Sequence, residues 1–437
     1  MSSLADRIRG IVGGAPGSTV GGAPGPKGPG LPESGSPDLA ALGGVWRDGC
    51  FVVDRRWDPS ALHGREAIGA LAERLDRAAG EAALFTGLAP ARPPFVFFDL
   101  ETTGLSGGAG TLAFLVGCGS FDDDGAFVTR QFLLARYADE RVLLEAVAAE
   151  LARAGALVSF NGKSFDAPLL EGRYLFHRLP WRGREMPHVD VLHPARRFWK
   201  PGVARPFQGR DRGAESPAPQ EGCSLQALER QIVGVRRTGD VPGFEIPARY
   251  FQFLRSGDAG PLEAVLEHNR LDLLTLAALT ARLLHTARTG PGAVTDPREA
   301  LALGGVYARG GLDDRARESY RRAIDRCRSP RGAFDPIRIE ALRALALAYR
   351  RARQYEPAAA CWRELVEVRG CPAPIAREAV EALAIHHEHR VRDLAAAKAF
   401  ALRNLEAGAD RGWTEAAQYR LARLERKMAG ESLKFEV

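Results

Sequence analysis

The sequence predicts an α/β protein, a mixed sheet flanked by helices, followed by an all-α region of helical repeats. Three observations lead there. Three short apolar runs (95–100, 112–119 and 127–134) succeed one another across turn-rich links. Helical and strand-like segments then alternate up to residue 284. The last third is helical in pattern and repeats itself.

Taken in order, the elements follow from local chemistry. Across residues 10–37, 10 of 28 residues are Gly and 6 are Pro. Such a stretch offers too little apolar surface to offset its chain entropy, so residues 1–43 are expected to be a disordered tail. Residues 44–94 should hold a hairpin turning at Asp48-Gly49, then a helix over 65–85 with Ile68, Leu71, Leu75 and Ala79 on one face. Residues 95–288 carry the three strands, a glycine-rich segment at 104–110 and a turn at Asp122-Asp123-Asp124-Gly125. A helix over 141–151, a buried strand over 156–160, a helix over 165–176 and a strand over 189–192 come next. Residues 200–222, rich in Pro, Gly, Arg and Asp, read as a long loop, and helices return over 225–232 and 262–284.

Residues 289–437 contain the repeats. Leu303, Tyr307, Ala316 and Tyr320 recur 42 positions on as Leu345, Tyr349, Ala358 and Trp362, and 38 positions further as Leu383, His387, Ala396 and Phe400. Large side chains alternate with Ala where two helices must approach closely. The pattern resembles tetratricopeptide helix pairs with lengthened connections, a scaffold that implies a protein partner.

Composition narrows the function classes. The chain has 437 residues, 45% hydrophobic and 26% charged, enough to bury a core without disulfide or metal staples. No apolar run is long enough to span a membrane, and no signal-peptide core is evident near the start, so a cytoplasmic address is expected. Six widely spaced cysteines with no CxxC pair argue against a disulfide framework or thiolate zinc site. The net charge of +6 hides an asymmetry: residues 286–437 carry 28 basic and 21 acidic side chains, so the surplus belongs to the repeats.

Candidate chemistry rests on acids. Asp99 and Glu101 are two apart on a strand, so both carboxylates share a face. Two like charges brought together call for a cation, and hard oxygens suit Mg²⁺ or Mn²⁺. Asp166 follows the strand over 156–160 through the turn Asn161-Gly162-Lys163-Ser164, where an N-cap is the bland alternative. Asp272 and His268 sit at i and i+4 on the stripe formed by Val265, Leu276, Leu279 and Leu283, where a buried His–Asp pair is the bland alternative. Gly162-Lys163-Ser164 imitates a phosphate-binding loop, but Leu157 stands where that loop needs its first glycine. His386, His387 and His389 invite a metal reading, which His387, on a repeat core position, and the lack of an acid or thiol at ligand spacing argue against. Asp190 could support either site or fold. Arg196, Arg197, Trp199, Lys200, Arg205, Arg210 and Arg212 mix basic and aromatic character and could hold a single strand.

These acids fall in motifs. Phe97-Phe98-Asp99-Leu100-Glu101-Thr102-Thr103-Gly104, Ser159-Phe160-Asn161-Gly162-Lys163-Ser164-Phe165-Asp166 and His268-Asn269-Arg270-Leu271-Asp272 resemble, in order, the three motifs of ribonuclease-H-like DEDD exonucleases. With the leading hairpin and trailing repeats, the chain resembles the bacterial YprB ribonuclease-H-like family. The resemblance implies a ribonuclease-H-like sheet and metal-dependent 3′-to-5′ exonuclease cleavage of single-stranded nucleic acid. It implies that Asp99, Glu101, Asp166 and Asp272 bind two divalent ions, with His268 orienting water. His268 combines the residue type of one exonuclease branch with the spacing of another. Thr102, Thr103, Asn161 and Lys163 would contact substrate. The competing class is a non-catalytic adaptor, binding nucleic acid or protein, that retains the fold; an endonuclease would use the same acids.

Overall fold

The hairpin at Asp48-Gly49 forms because both turn residues adopt positive φ, 48° and 84°, the twist a two-residue hairpin needs. It joins β1 (Val45–Arg47) to β2 (Cys50–Trp57), the edge of a seven-stranded sheet. The remaining strands are β5 (Phe95–Thr102), β6 (Ala113–Phe121), β7 (Phe127–Leu133), β8 (Ala156–Ser159) and β9 (His188–Asp190). Two short strands, β3 (Leu62–His63) and β4 (Glu66–Ala67), pair apart from the main sheet. The computed structural model describes residues 39–87, 90–104, 110–199, 223–406 and 411–435, with side chains at all but 406, 411–413 and 430–435. The tail over 1–38, most of the glycine-rich segment and the loop over 200–222, with Lys200, Arg205, Arg210 and Arg212, lie outside the described residues.

The sheet order is β1-β2-β7-β6-β5-β8-β9. The first five strands are antiparallel neighbours, and β8 and β9 add in parallel to β5. The parallel crossovers are made by α3 (Glu140–Leu151) and α4 (Asp166–Phe176). This is the mixed, ribonuclease-H-like sheet that the sequence predicts.

Period-two alternation splits β5 between two cores. Phe95 and Phe97 face a layer shared with α1 (Ile68–Arg77) and α8 (Gly260–Thr289). Val96, Phe98 and Leu100 face a layer shared with α3, α4 and α7 (Ile246–Ser256). The first core continues without interruption into the C-terminal helices. Trp199, at the end of α5 (Leu192–Phe198), is buried and donates its indole N–H to Glu299 at 2.9 Å. Tyr307 donates to the Ala287 carbonyl at 2.6 Å, and Arg282 meets Glu299 at 3.0 Å.

The described part of the last third contains helices and no strand: α9 (Pro297–Arg309), α10 (Asp313–Arg326), α11 (Pro336–Arg351), α12 (Tyr355–Glu367), α13 (Ala373–His386), α14 (Leu394–Glu406) and α15 (Arg411–Phe435). All eight repeat positions of the first two copies are buried. In the third, a π-helical turn at His387–Val391 shifts the register, so Ala397 and Ala401 are buried and the His387 ring stacks on Phe400 instead.

Several local expectations need correction. The helix expected over 65–85 breaks after Arg77 into a 3₁₀ turn and α2 (Ala83–Thr86). Leu192 opens α5 rather than closing a strand, and the 225–232 helix is one α turn, α6 (Leu225–Leu228), followed by a π turn. Helix α5 is too short, and mixed too much with Pro and Arg, for a clear stripe, whereas α7 buries Ile246, Tyr250 and Phe253 at i, i+4 and i+7. Trp199 cannot serve as a stacking platform, because it is spent inside the core.

Candidate functional site

Strand β5 carries the first two acids on one face, Asp99 opposite Gly117 of β6 and Glu101 opposite Leu115. The register slips between Glu101 and Thr102, where the strand leaves its partner. Thr102 donates its hydroxyl to the Gly104 carbonyl at 3.0 Å, and Thr103 Oγ1 accepts the Leu112 N–H at 3.0 Å. Both hydroxyls therefore shape the base of the glycine-rich segment.

The third acid is aimed by the loop after β8. Asn161 sits at φ 70°, and the backbone N–H groups of Asn161 and Lys163 donate to the two carboxylate oxygens of Asp190 at 2.8 and 3.1 Å. Leu192 N–H adds a third bond at 3.2 Å. Asp190, on β9, thereby folds the loop so that Asp166 opens α4. The N-cap position belongs to Phe165 and no side chain caps this helix, so Asp166 is not spent on capping. Gly162 is required here: a Cβ would fall 2.4 Å from Ser159 Oγ and 2.9 Å from Asp166 Oδ2.

Helix α8 supplies His268, Asn269 and Asp272. Asn269, fully buried, donates to Asp99 Oδ2 at 3.0 Å and accepts from Gln131 Nε2 at 2.9 Å. His268 Nδ1 lies 2.7 Å from Asp240 Oδ1, and its Nε2 lies 3.6 Å from Asp272 Oδ2. The ring thus lies between two carboxylates, Asp240 at Nδ1 and Asp272 at Nε2.

The four acids feel one another. Burial, then Asp272, Glu101 and Asp166, pushes the Asp99 carboxyl well above its usual range, against one opposing bond from Asn269. Burial, then Asp272, Asp166 and Asp240, does the same to Glu101. Asp166 is pushed up to about 7 by burial and then by Asp190. The structure thus brings Asp99, Glu101, Asp166 and Asp272 to one corner at the C-terminal ends of β5 and β8.

A cation reaches the cluster at Asp272. Arg237 binds Glu229 at 2.8 Å, Asp240 at 3.2 Å and Asp272 at 2.5 Å. Burial alone would lower its pKa, but Asp272 and Glu229 outweigh burial and raise it. Thr275 donates to Glu229 at 2.6 Å and accepts from His63 Nε2 at 3.1 Å, extending the network to β3. Burial, then Arg237, lowers the His63 pKa to about 4, so that ring is neutral.

Four crowded carboxylates, with the charged forms of Asp99, Glu101 and Asp166 disfavoured, make a donor set suited to a hard divalent cation such as Mg²⁺ or Mn²⁺. Among the described residues, no three His, Cys, Asp or Glu side chains close around one point at ligand spacing. The acids form an open cluster, with Asp272 held by Arg237 and Asp99 by Asn269. The histidines at 386–389 diverge: His386 meets Glu356, His387 packs on Phe400, and His389 meets Glu388. Sequence reasoning does not reach Arg237, Asp240, Glu229, Gln131 or Gly117. Their roles arise from segments that meet only in the fold, and no spacing in the chain marks them.

Residues 96–284 match the ribonuclease H superfamily. Over 335 residues, 76% of this chain and 74% of the other, the sequence is 31% identical to the uncharacterized protein YprB of Bacillus subtilis (strain 168).

Proposed function

The chain belongs to the YprB-type ribonuclease-H-like family, and from that premise we propose that it is a metal-dependent nuclease, a 3′-to-5′ exonuclease on single-stranded nucleic acid. The observation that carries the reading is the convergence of Asp99, Glu101, Asp166 and Asp272, whose mutual repulsion has no purpose in an apolar or purely structural corner. These four carboxylates would hold two Mg²⁺ or Mn²⁺ ions. When bound, such ions lower the pKa of an attacking water and stabilise the leaving oxygen of a phosphodiester.

The chain's own groups do the rest. Asp240 holds the His268 ring so that Nε2 can accept a proton from water. Asn269 fixes the carboxylate of Asp99. Asp190 holds the loop of Asn161 and Lys163, which would face the terminal nucleotide. A second reading, the non-catalytic adaptor, draws on Arg237, which already sets a fixed positive charge on Asp272.

Purified protein with end-labelled single-stranded DNA and RNA, in Mg²⁺ or Mn²⁺, separates the readings. The exonuclease shortens a 5′-labelled strand stepwise and releases a 3′ label at once as mononucleotide. Internal fragments mean an endonuclease, and no cleavage with either ion supports the adaptor.

A further inference from the structure

Beside the acid cluster lies a cleft of about 250 Å³, lined by Lys163 and Asp190 but by none of the four acids or His268. It opens where the ribonuclease-H-like sheet meets the first C-terminal helix. Lys163 comes from the loop that aims Asp166, Arg197 from α5 and Arg309 from the end of α9. Leu84 and Phe85 of α2 form an apolar side.

The charge balance of this cleft is one-sided. Among the described residues, the side chains of Lys163, Arg197 and Arg309 have no carboxylate partner. The acid that lines the cleft, Asp190, is already engaged by three backbone N–H groups. Arg197 and Arg309 line the same cleft, and burial, then the charge of Arg197, lowers the Arg309 pKa. Like charges held together this way are stabilised by an anion between them.

The cleft is also fixed in shape. Gly310 touches α2 so closely that a Cβ would fall 2.6 Å from Leu84 Cδ2. Trp199 and Arg282, both bonded to Glu299, anchor α9 to α5 and α8. A site built across this joint keeps the backbones that carry its arginines in place without ligand.

We propose that this cleft binds the backbone of the single strand whose end enters the acid cluster, with Arg197 and Arg309 on successive phosphates and Phe85 against a base. The inference rests on the nucleic-acid reading above. An alternation of phosphate and flat apolar base matches paired guanidiniums beside an aromatic face, whereas an acidic peptide offers the charge without the ring. Lys163 lies three residues before Asp166, so it joins the cleft to the candidate site.

The test uses the full chain in EDTA, where binding is read apart from cleavage, with fluorescein-labelled 20-nucleotide DNA and RNA across a salt series. Each phosphate contact on a single strand contributes about 0.7 to the slope of log affinity against log salt. Arg197→Gln and Arg309→Gln should each reduce the slope by about 0.7, and affinity at 0.1 M salt by about fivefold relative to 1 M. Arg326→Gln removes the same charge at the far end of α10, about 20 Å along the helix, and should leave the slope unchanged. Wild-type slopes in both cleft variants, no strand binding by wild type, or equal binding of a 20-residue polyglutamate each overturn the proposal. Reduced slopes in a protein that cleaves nothing would uphold the cleft and refute the nuclease reading. Cleavage by wild type with unchanged slopes would do the reverse.

Discussion

Gly117→Ala is a sharp test of how the sheet and α8 hold Asp99. Gly117 does not adopt positive φ, so backbone conformation alone would favour Ala by about 0.4–1 kcal/mol. The neighbours decide otherwise. A Cβ at this position would lie 2.0 Å from Asn269 Oδ1, 2.8 Å from its Cγ and 2.9 Å from Leu273 Cδ1. Asn269 has no room to retreat: it is fully buried and bonded to Gln131 on one side and Asp99 on the other. Gln131, also fully buried, is itself tied to the Leu266 carbonyl at 2.9 Å. Helix α8 must therefore move by about 1 Å or the amide must turn away. Overpacking costs about 1–3 kcal/mol, and each buried hydrogen bond lost costs about 1–3 kcal/mol. The expected loss is about 3–5 kcal/mol after the backbone gain, read by urea unfolding at pH 7 in EDTA. Gly117→Ala combined with Asn269→Ala should recover part of it by removing the clash. A Gly117→Ala protein as stable as wild type would refute the reasoning.

Other predictions follow from the same network. In Asp99, Glu101 and Asp166 the folded pKa is raised, so their penalty is absent below pH about 4, grows as pH rises and is complete above their folded values, about 7 for Asp166. Metal-free Asp99→Asn should therefore melt at a higher temperature than wild type at pH 7.5 but not at pH 4, and equal melting at both refutes the crowding. Arg237→Met leaves Glu229, Asp240 and Asp272 without their counter-charge and should cost about 3–5 kcal/mol in thermal or urea unfolding. An unchanged midpoint would show that Arg237 is dispensable to the cluster. Asp190→Ala strips the acceptor from three backbone N–H groups and should lose about 2–4 kcal/mol. Hydrogen exchange at Asn161 and Lys163 checks it directly, since protection equal to wild type would contradict the tie.

The sequence was most legible where a single segment carries the whole signal. Strands β5, β6 and β7 are runs of apolar residues bounded by turns, and Asp48-Gly49 has the turn chemistry of its hairpin. The order Asp99, Glu101, Asp166, Asp272 could be read because Asp99, Glu101 and Asp272 break apolar patterns and Asp166 follows a marked turn. Arg237 and Asp240 lie in a polar turn that looks like any solvated loop until Glu229 and Asp272 close on it. Trp199 shows the opposite failure: its basic neighbours suggested a binding surface, yet Glu299, 100 positions away, draws it into the core. The third repeat copy failed by one residue, because a π turn is a backbone event with no periodic mark.

The most direct measurement is a count of bound Mn²⁺ per chain, by electron paramagnetic resonance of the free ion, in wild type and in Asp99→Asn and Asp272→Asn. If the four carboxylates form a two-ion site, wild type binds two ions and each variant binds at least tenfold more weakly or loses one ion outright, while melting cooperatively as a folded protein. Wild type that binds no Mn²⁺, or variants that bind it as tightly and in the same number, would contradict the account.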